Sequence, residues 1–313
     1  MRARAPCALL LIASATAFAS VLHDAVEKNN VTLLRERIQT LRNQKDLEAV
    51  DENELTPLHL AAYHGHVETA QALLEADAPI DTVCDAHGGM TALHWATGQG
   101  HIDVVRLLLT KGAALAMRDA GGRTPIHYAA SRGLSDVLKA LLEHRPPSRE
   151  LLDATSALGV SALQMASEKG FTPAVELLLD AGALADSGPK DEHRISALHA
   201  AAAMGHEGVV HALLKAGASC DARDARARTP LHLSAAMGNS EAVVRALVAA
   251  GASLEARDAD GRTPRRLAER QGHGPTVAAL KAAGAEPGRL PLRLIARLVR
   301  WVRAAVKVGS APA

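Results

Sequence analysis

Aromatic side chains are scarce in this sequence: Phe18, Tyr63, Trp95, Tyr128, Phe171 and Trp301 are the whole set among 313 residues. A core of large rings is excluded. With 48% hydrophobic residues, the interior must be built from Ala, Leu and Val, which suits closely packed helices. Cysteine is nearly absent as well, and Cys7, Cys84 and Cys220 are too few and too scattered for a disulfide framework or a zinc module. Neither sign of charge prevails. Thirty-five basic and 34 acidic side chains leave a formal charge of +1, so the molecule as a whole is not drawn to nucleic acid. Also missing are a glycine-rich phosphate loop followed by Lys-Ser/Thr, an H-E-x-x-H helix and a G-x-S-x-G nucleophile elbow. These absences point away from an enzyme, and no catalytic residue, cofactor, metal or small-molecule substrate is expected.

At the N-terminus Arg2 and Arg4 precede an uncharged run from Ala8 to Ala19 that ends in Ala17-Phe18-Ala19, the small-x-small form that signal peptidases cut. Residues 1–19 therefore read as a signal peptide and the protein as exported, periplasmic or secreted. The run is well short of the ~20 residues a membrane-spanning helix needs. The alternative is an apolar cap helix on a cytoplasmic protein. Against it, a surface cap needs a polar outer stripe, and Leu9 to Ala19 offers only Ser14 and Thr16. Asn30-Val31-Thr32 matches a glycosylation acceptor, a weak three-residue pattern that matters only in a eukaryotic secretory pathway.

Beyond the leader one heptapeptide recurs seven times. It reads Thr56-Pro-Leu-His-Leu-Ala-Ala, Thr91-Ala-Leu-His-Trp-Ala-Thr, Thr124-Pro-Ile-His-Tyr-Ala-Ala, Ser161-Ala-Leu-Gln-Met-Ala-Ser, Ser196-Ala-Leu-His-Ala-Ala-Ala, Thr229-Pro-Leu-His-Leu-Ser-Ala and Thr263-Pro-Arg-Arg-Leu-Ala-Glu. Successive openers lie 35, 33, 37, 35, 33 and 34 residues apart. Each opening Thr or Ser can accept a hydrogen bond from an unpaired amide of a first helical turn. Proline follows at 57, 125, 230 and 264, where a first-turn residue loses nothing by lacking its N–H. Gly65, Gly100, Gly133, Gly170, Gly205, Gly238 and Gly272 end that short helix in a left-handed cap. A second helix, as in Val104-Val105-Arg106-Leu107-Leu108-Leu109, runs to Gly-Ala pairs at 112, 182, 217, 251 and 284. Loops such as Asp119-Ala-Gly-Gly-Arg123 and Asp258-Ala-Asp-Gly-Arg262 read as tight hairpin turns.

This period and pattern resemble the ankyrin repeat, over roughly Ser20 to Glu286. A degenerate further copy aligns at Leu22-His23-Asp24-Ala25-Val26. The resemblance implies an all-α solenoid of stacked helix-turn-helix units with β-hairpin loops, occupying residues 20–287. It also implies that His59, His94, His127, His199 and His232, with His66, His101, His206 and His273 after the glycines, are structural and bond backbone between repeats. The seventh copy replaces Leu-His with Arg265-Arg266 and adds Glu269, the polar character of a terminal cap. The 37-residue step, with His144-Arg-Pro-Pro-Ser148 inside it, predicts a distorted junction or a longer loop, and Asp186 to Arg194 is an enlarged, charged loop. Cys84-Asp85-Ala86-His87 holds two potential zinc ligands, but no second pair completes a site.

A stack of such repeats is expected to work as a scaffold, binding an unidentified partner protein on its concave face. By the resemblance, the two residues before each glycine point into that face, which nominates Tyr63, His64, Gln99, Arg132, Lys169, Met204 and Met237. Charge along the repeats is polarised. Residues 51–100 hold eight acids and no Lys or Arg, while residues 257–313 hold twelve bases and four acids. In residues 288–313, Arg293, Arg297, Arg300, Arg303 and Lys307 step by 4, 3, 3 and 4, so they line one side of a helix opposite Ile295, Leu298, Val299, Val302 and Val306. Trp301 lies near the edge of the apolar side. Such a basic amphipathic helix suits an anionic membrane surface, an acidic groove on a partner, or a packed cap over the last repeat. The membrane option makes the chain a peripheral membrane protein attached by its tail.

Overall fold

The computed structural model describes residues 21–41, 44–144, 147–186 and 194–284. The leader 1–19, the tail 288–313 and most of the loop from Asp186 to Arg194 lie outside the described residues. The chain divides into two compact units, Met1–Ala197 and Leu198–Ala313, and each is built from pairs of short antiparallel helices.

In the first unit the inner helices are α1 (21–27), α3 (Pro57–His64), α5 (Ala92–Gln99), α7 (Pro125–Arg132) and α10 (Ala162–Lys169), each followed by an outer one: α2 (Val31–Gln39), α4 (Val67–Glu75), α6 (Ile102–Thr110), α8 (Ser135–His144) and α11 (Thr172–Asp180). Inner helices α3, α5, α7 and α10 stack in order, and so do outer helices α2, α4, α6, α8 and α11. Close approach is possible because Ala61, Ala62, Ala96, Ala129, Ala130 and Ala166 are fully buried between layers, with Leu73, Leu93, Leu108, Ile126, Leu138 and Leu163 filling the remaining space. The degenerate first copy belongs to this frame. Leu22, Ala25 and Val26 are fully buried, and the His23 ring pairs through Nε2 with the Leu55 carbonyl at 2.9 Å. Asn30 of the glycosylation triplet is the N-cap of α2, its side chain accepting from the Leu33 amide at 3.0 Å.

Helix starts follow the opener logic. The Thr56 hydroxyl accepts from the His59 amide, and the Thr56 amide donates back to His59 Nδ1 at 3.3 Å. The same threonine–histidine box opens α5 and α7. Each inner helix from α3 onward ends on a glycine with positive φ, for instance Gly133 at +67°, while α1 ends at Asn29, at +49°; at Gly133 a Cβ would sit 2.6 Å from the Phe171 ring of the next layer. Glycine is required there twice over, by conformation and by space.

The hairpin connections are tight turns, and among the described residues no strand forms. Only the isolated bridges Cys84–Met90 and Thr155–Ser161 have ladder character. The turns close on side chains instead. Asp119 Oδ1 accepts from the Arg123 amide at 2.7 Å while Oδ2 meets Arg123 Nε at 2.9 Å. Neighbouring turns are linked by single backbone bonds, Ala120 N–H to Gly88 O at 2.6 Å and Ala157 N–H to Gly121 O at 2.7 Å. The 37-residue step holds a short extra helix, α9 (Arg149–Leu152), capped by Ser148, so that junction is an inserted turn of helix, with residues 145–146 outside the description.

The second unit repeats the scheme with inner helices α12 (Ala197–Met204), α14 (Pro230–Met237) and α16 (Pro264–Gln271) and outer helices α13 (Glu207–Lys215), α15 (Glu241–Ala249) and α17 (Gly274–Gly284). Its turns carry the same carboxylate–guanidinium closure, Asp224 with Arg228 at 2.7 Å and Asp258 with Arg262 at 2.9 Å. Both carboxylates are buried. Among the described residues no helix is long and apolar enough to cross a membrane.

Candidate functional site

Histidine chemistry is the first possibility to weigh, because a row of imidazoles suggests metal or acid–base work. The geometry directs these rings elsewhere. His59, His94, His199 and His232 are buried, and their Nε2 atoms pair with the carbonyls of Thr82 (2.9 Å), Arg123 (3.1 Å), Arg228 (3.0 Å) and Arg262 (3.1 Å). For His59, His94 and His232 the opener amide donates to Nδ1, which therefore carries no proton. Each of these rings is a neutral clamp between one helix start and the next turn. Burial pushes His59 down to about 4, outweighing the backbone bonds that favour its charged form, and lowers His94, His199 and His232 in the same sense. His127 is the exception. Its Nδ1 keeps the Thr124 bond at 3.1 Å, but its buried Nε2 has no acceptor in bonding geometry, although the Ala154 and Val160 backbone lies close enough to favour the charged form. Burial pushes it too down to about 4.

The rings after the glycines cap helix ends. His101 Nε2 reaches the Tyr63 carbonyl and His273 Nε2 the Ala236 carbonyl, both at 2.9 Å. The backbone-bonding role implied for both sets is therefore observed at these positions, but not at His66, whose buried Nε2 has no acceptor. Cys84 is buried, with Sγ 3.2 Å from the Glu54 carbonyl and 3.3 Å from His87 Nδ1, and burial raises its thiol. Cys84 and Cys220 are free thiols. Among the described residues no group of three or more His, Cys, Asp or Glu is placed to hold a metal ion.

The nominated face residues are all exposed. In the first unit these are Tyr63 and His64 at the end of α3, Gln99 at the end of α5, Arg132 at the end of α7 and Lys169 at the end of α10. Met204 and Met237 end α12 and α14 in the second unit, 51% and 56% exposed. Arg132 is partly committed to the frame, since its guanidinium bonds the Gly98 carbonyl. Tyr63 makes ring contacts with His64 (5.0 Å between centroids) and with Trp95 (5.3 Å), both edge to face. His64 stacks on His66 at 5.5 Å.

Trp95 and Tyr128 belong to the same face although they were not nominated. They occupy the fifth heptapeptide position, and an i, i+3/i+4 relation places that position beside the residues that end the helix. Both are half-buried. Trp95 lies between Tyr63 and His87, the latter 5.4 Å away on the turn before α5, and its buried Nε1 has no acceptor. The Tyr128 hydroxyl donates to Asp119 Oδ2 at 2.7 Å, and Arg123 sits 4.8 Å above the Tyr128 ring. Burial, reinforced by the bond to Asp119, pushes Tyr128 up to about 12. Burial alone would raise the Asp119 carboxyl, but the bonds from Tyr128 and Arg123 prevail and hold it below its usual range. The result is an aromatic strip across α3, α5 and α7, fixed at its Tyr128 end by a bond to the turn. Nothing in it pairs a nucleophile with a base. Its chemistry is that of contact, with rigid amphipathic rings of the kind that anchor protein interfaces.

Comparison with known proteins agrees with the repeat reading. Family models described as ankyrin repeats in three copies match residues 6–84, 22–119, 79–150 and 147–224, and one described as ankyrin repeats in many copies matches residues 213–268. Among solved structures, the human ASB11 ankyrin repeat domain is similar at a TM-score of 0.61 and 29% identity, over 74% of this chain and 98% of that one. No curated protein matches the sequence.

Proposed function

Because this chain belongs to the ankyrin repeat family, whose members generally serve as protein–protein interaction modules, we propose that it is a non-enzymatic scaffold that captures a partner protein on the aromatic strip of its first unit. The observation that carries this reading is the contact of Tyr63 with Trp95 at 5.3 Å, which leaves Tyr63 39% exposed on a helix end held rigid by the His101 bond. Tyr63 and His64 form the exposed edge and Trp95 and Tyr128 the floor, with Gln99 and Arg132 beside them. Lys169 extends the strip on α10, and Met204 and Met237 offer adaptable apolar contacts on the second unit. The domain is read as residues 20–287. Export is proposed with it, resting on the leader in residues 1–19, and a cytoplasmic location is the alternative.

The test is selection from a displayed peptide or protein library on the full chain, followed by binding to Tyr63→Ser and Tyr128→Phe variants. Ligands that contact the strip should lose about tenfold or more with Tyr63→Ser, a loss of about 1.4 kcal/mol. If the selected ligands bind the Tyr63→Ser chain unchanged, the strip is not the docking surface.

A further inference from the structure

The charges around the aromatic strip are unevenly signed. Residues 51–100 supply α3, α4, α5 and the turns before α3 and α5, and they hold eight acids and no Lys or Arg. Glu52, Glu54 and Asp85 are exposed on those two turns. The second turn abuts the strip directly, since His87 packs against Trp95. At the other end of the strip Arg123 is neutralised by Asp119 at 2.8 Å, whereas Arg132 bonds only the Gly98 carbonyl and keeps its charge, so the end that attracts cations is that of α3 and α5. Rings beside uncompensated carboxylates attract guanidinium and ammonium groups. The molecule already uses this chemistry once, where Arg123 lies over the Tyr128 ring with Asp119 as its counter-ion.

One segment of this chain has the complementary character. From Pro287 to the C-terminus there are six bases and no acid. The five from Arg293 to Lys307 recur at steps of three and four across fifteen residues. A helix of that length spans ~21 Å, and three inner helices set ~8–10 Å apart span about the same distance. Resting on the reading of the strip as a docking surface, we infer that its occupant is residues 289–307 of a second copy of this chain. The arginines lie against Tyr63, Trp95 and the carboxylates of Glu52, Glu54 and Asp85, and the chain associates tail to face. Such a contact is heterologous, so it builds open chains unless two copies exchange tails reciprocally and close a dimer.

The experiment titrates a fluorescein-labelled peptide of residues 288–313 with the full chain carrying Arg297→Glu and Arg300→Glu, whose own tail is thereby disabled as a competitor. Saturable binding is expected, weaker by about tenfold or more when salt is raised from ~0.05 to ~0.3 M. Reversing Glu54→Lys and Asp85→Lys should abolish it, whereas Glu68→Lys on outer helix α4, the charge-matched control, should not. In sedimentation runs the natural full chain should self-associate at low salt and lose that association with the turn reversals. The inference is overturned if the peptide does not saturate, if it binds the turn-reversal and natural faces equally, or if it partitions onto anionic phosphatidylserine vesicles without binding the chain. A library-selected ligand that still depends on Tyr63 while the tail peptide fails would leave the docking surface standing and remove only this occupant. Failure of both removes both.

Discussion

Acid should unfold this protein in a pH window set by its clamp histidines. His59 accepts the Thr56 amide on Nδ1 and pairs through Nε2 with the Thr82 carbonyl, so a second proton on the ring would point at an N–H. Its ordinary value near 6.5 is pushed down to about 4, and so is that of His127. A folded-state value below the unfolded one means that the unfolded chain binds the proton more readily. Stability is therefore complete above about pH 6.5 and is lost as pH falls toward 4. At pH 5 the loss from each of these two rings is about 2 kcal/mol. His94, His199 and His232 are displaced in the same direction. Against a whole-domain stability of ~5–15 kcal/mol, the pair alone removes a large fraction. The paired carboxylates do not confuse the measurement, because Asp119 and Asp258 lie below their usual 3.8 and give up their contribution only at lower pH.

The assay is urea unfolding of the full chain followed by far-UV circular dichroism at intervals from pH 8 to 5. Unfolding free energy should be flat from pH 8 to 7 and fall steeply from 6.5 to 5. His59→Gln supplies the control, since Gln164 already occupies the corresponding buried position behind Ser161 and cannot titrate. That variant should be less stable at pH 7.5 yet show a shallower decline, recovering about 2 kcal/mol of the loss at pH 5. Equal stability at pH 7.5 and 5, or an unchanged slope in His59→Gln, would refute the argument.

Three further outcomes can be checked independently. Gly133→Ala should lower the urea midpoint by more than Gly112→Ala: both glycines have positive φ, at about 1 kcal/mol for a side chain, but only at Gly133 does the new Cβ meet a ring, at 2.6 Å from Phe171, whereas Gly112 faces open space. Tyr128→Phe should cost about 1–3 kcal/mol by removing a hydrogen bond to the buried Asp119 carboxylate, and the Asp119 carboxyl should titrate higher by NMR in the variant. Intact mass and terminal sequencing of the protein from its native cell should find a start at Ser20 if residues 1–19 are an export leader. A start at Met1 or Arg2 would instead favour the cytoplasmic alternative.

The frame was legible in the sequence because the same bonds are made many times. A Thr and a residue three places on, usually His, must each meet an orphan amide of the helix start, so residue type is fixed by geometry and the repetition exposes it. The strip was only half legible. Counting back from the glycines found Tyr63, His64, Gln99 and Arg132, but the fifth heptapeptide position lies at the boundary between core and face. A residue that fits between layers there, such as Leu60 or Leu233, is buried at 4–5% exposure, whereas the longer rings of Trp95 and Tyr128 emerge onto the surface. Bulk at a boundary position was the available signal, and periodicity alone carries no information about it.

His127 marks where a repeat pattern stops being a structure. Its heptapeptide is as regular as that of His94, its opener box is intact and its burial is the same, so every local sequence signal assigns it the same two bonds. One of them is missing, although the turn beyond helix α9 stays linked to its predecessor, Ala157 N–H reaching the Gly121 carbonyl as Ala120 N–H reaches that of Gly88. A buried imidazole with an unmet Nε2–H costs more than one fully bonded, so this repeat carries a local weakness that none of the others at positions 59, 94, 199 and 232 shares. The bond geometry at each successor turn, which the motif within a repeat does not specify, therefore separates the firmly held units from the weaker one. That explains why a sequence of nearly identical heptapeptides yields a frame that is uniform at its helix starts and uneven at its turns.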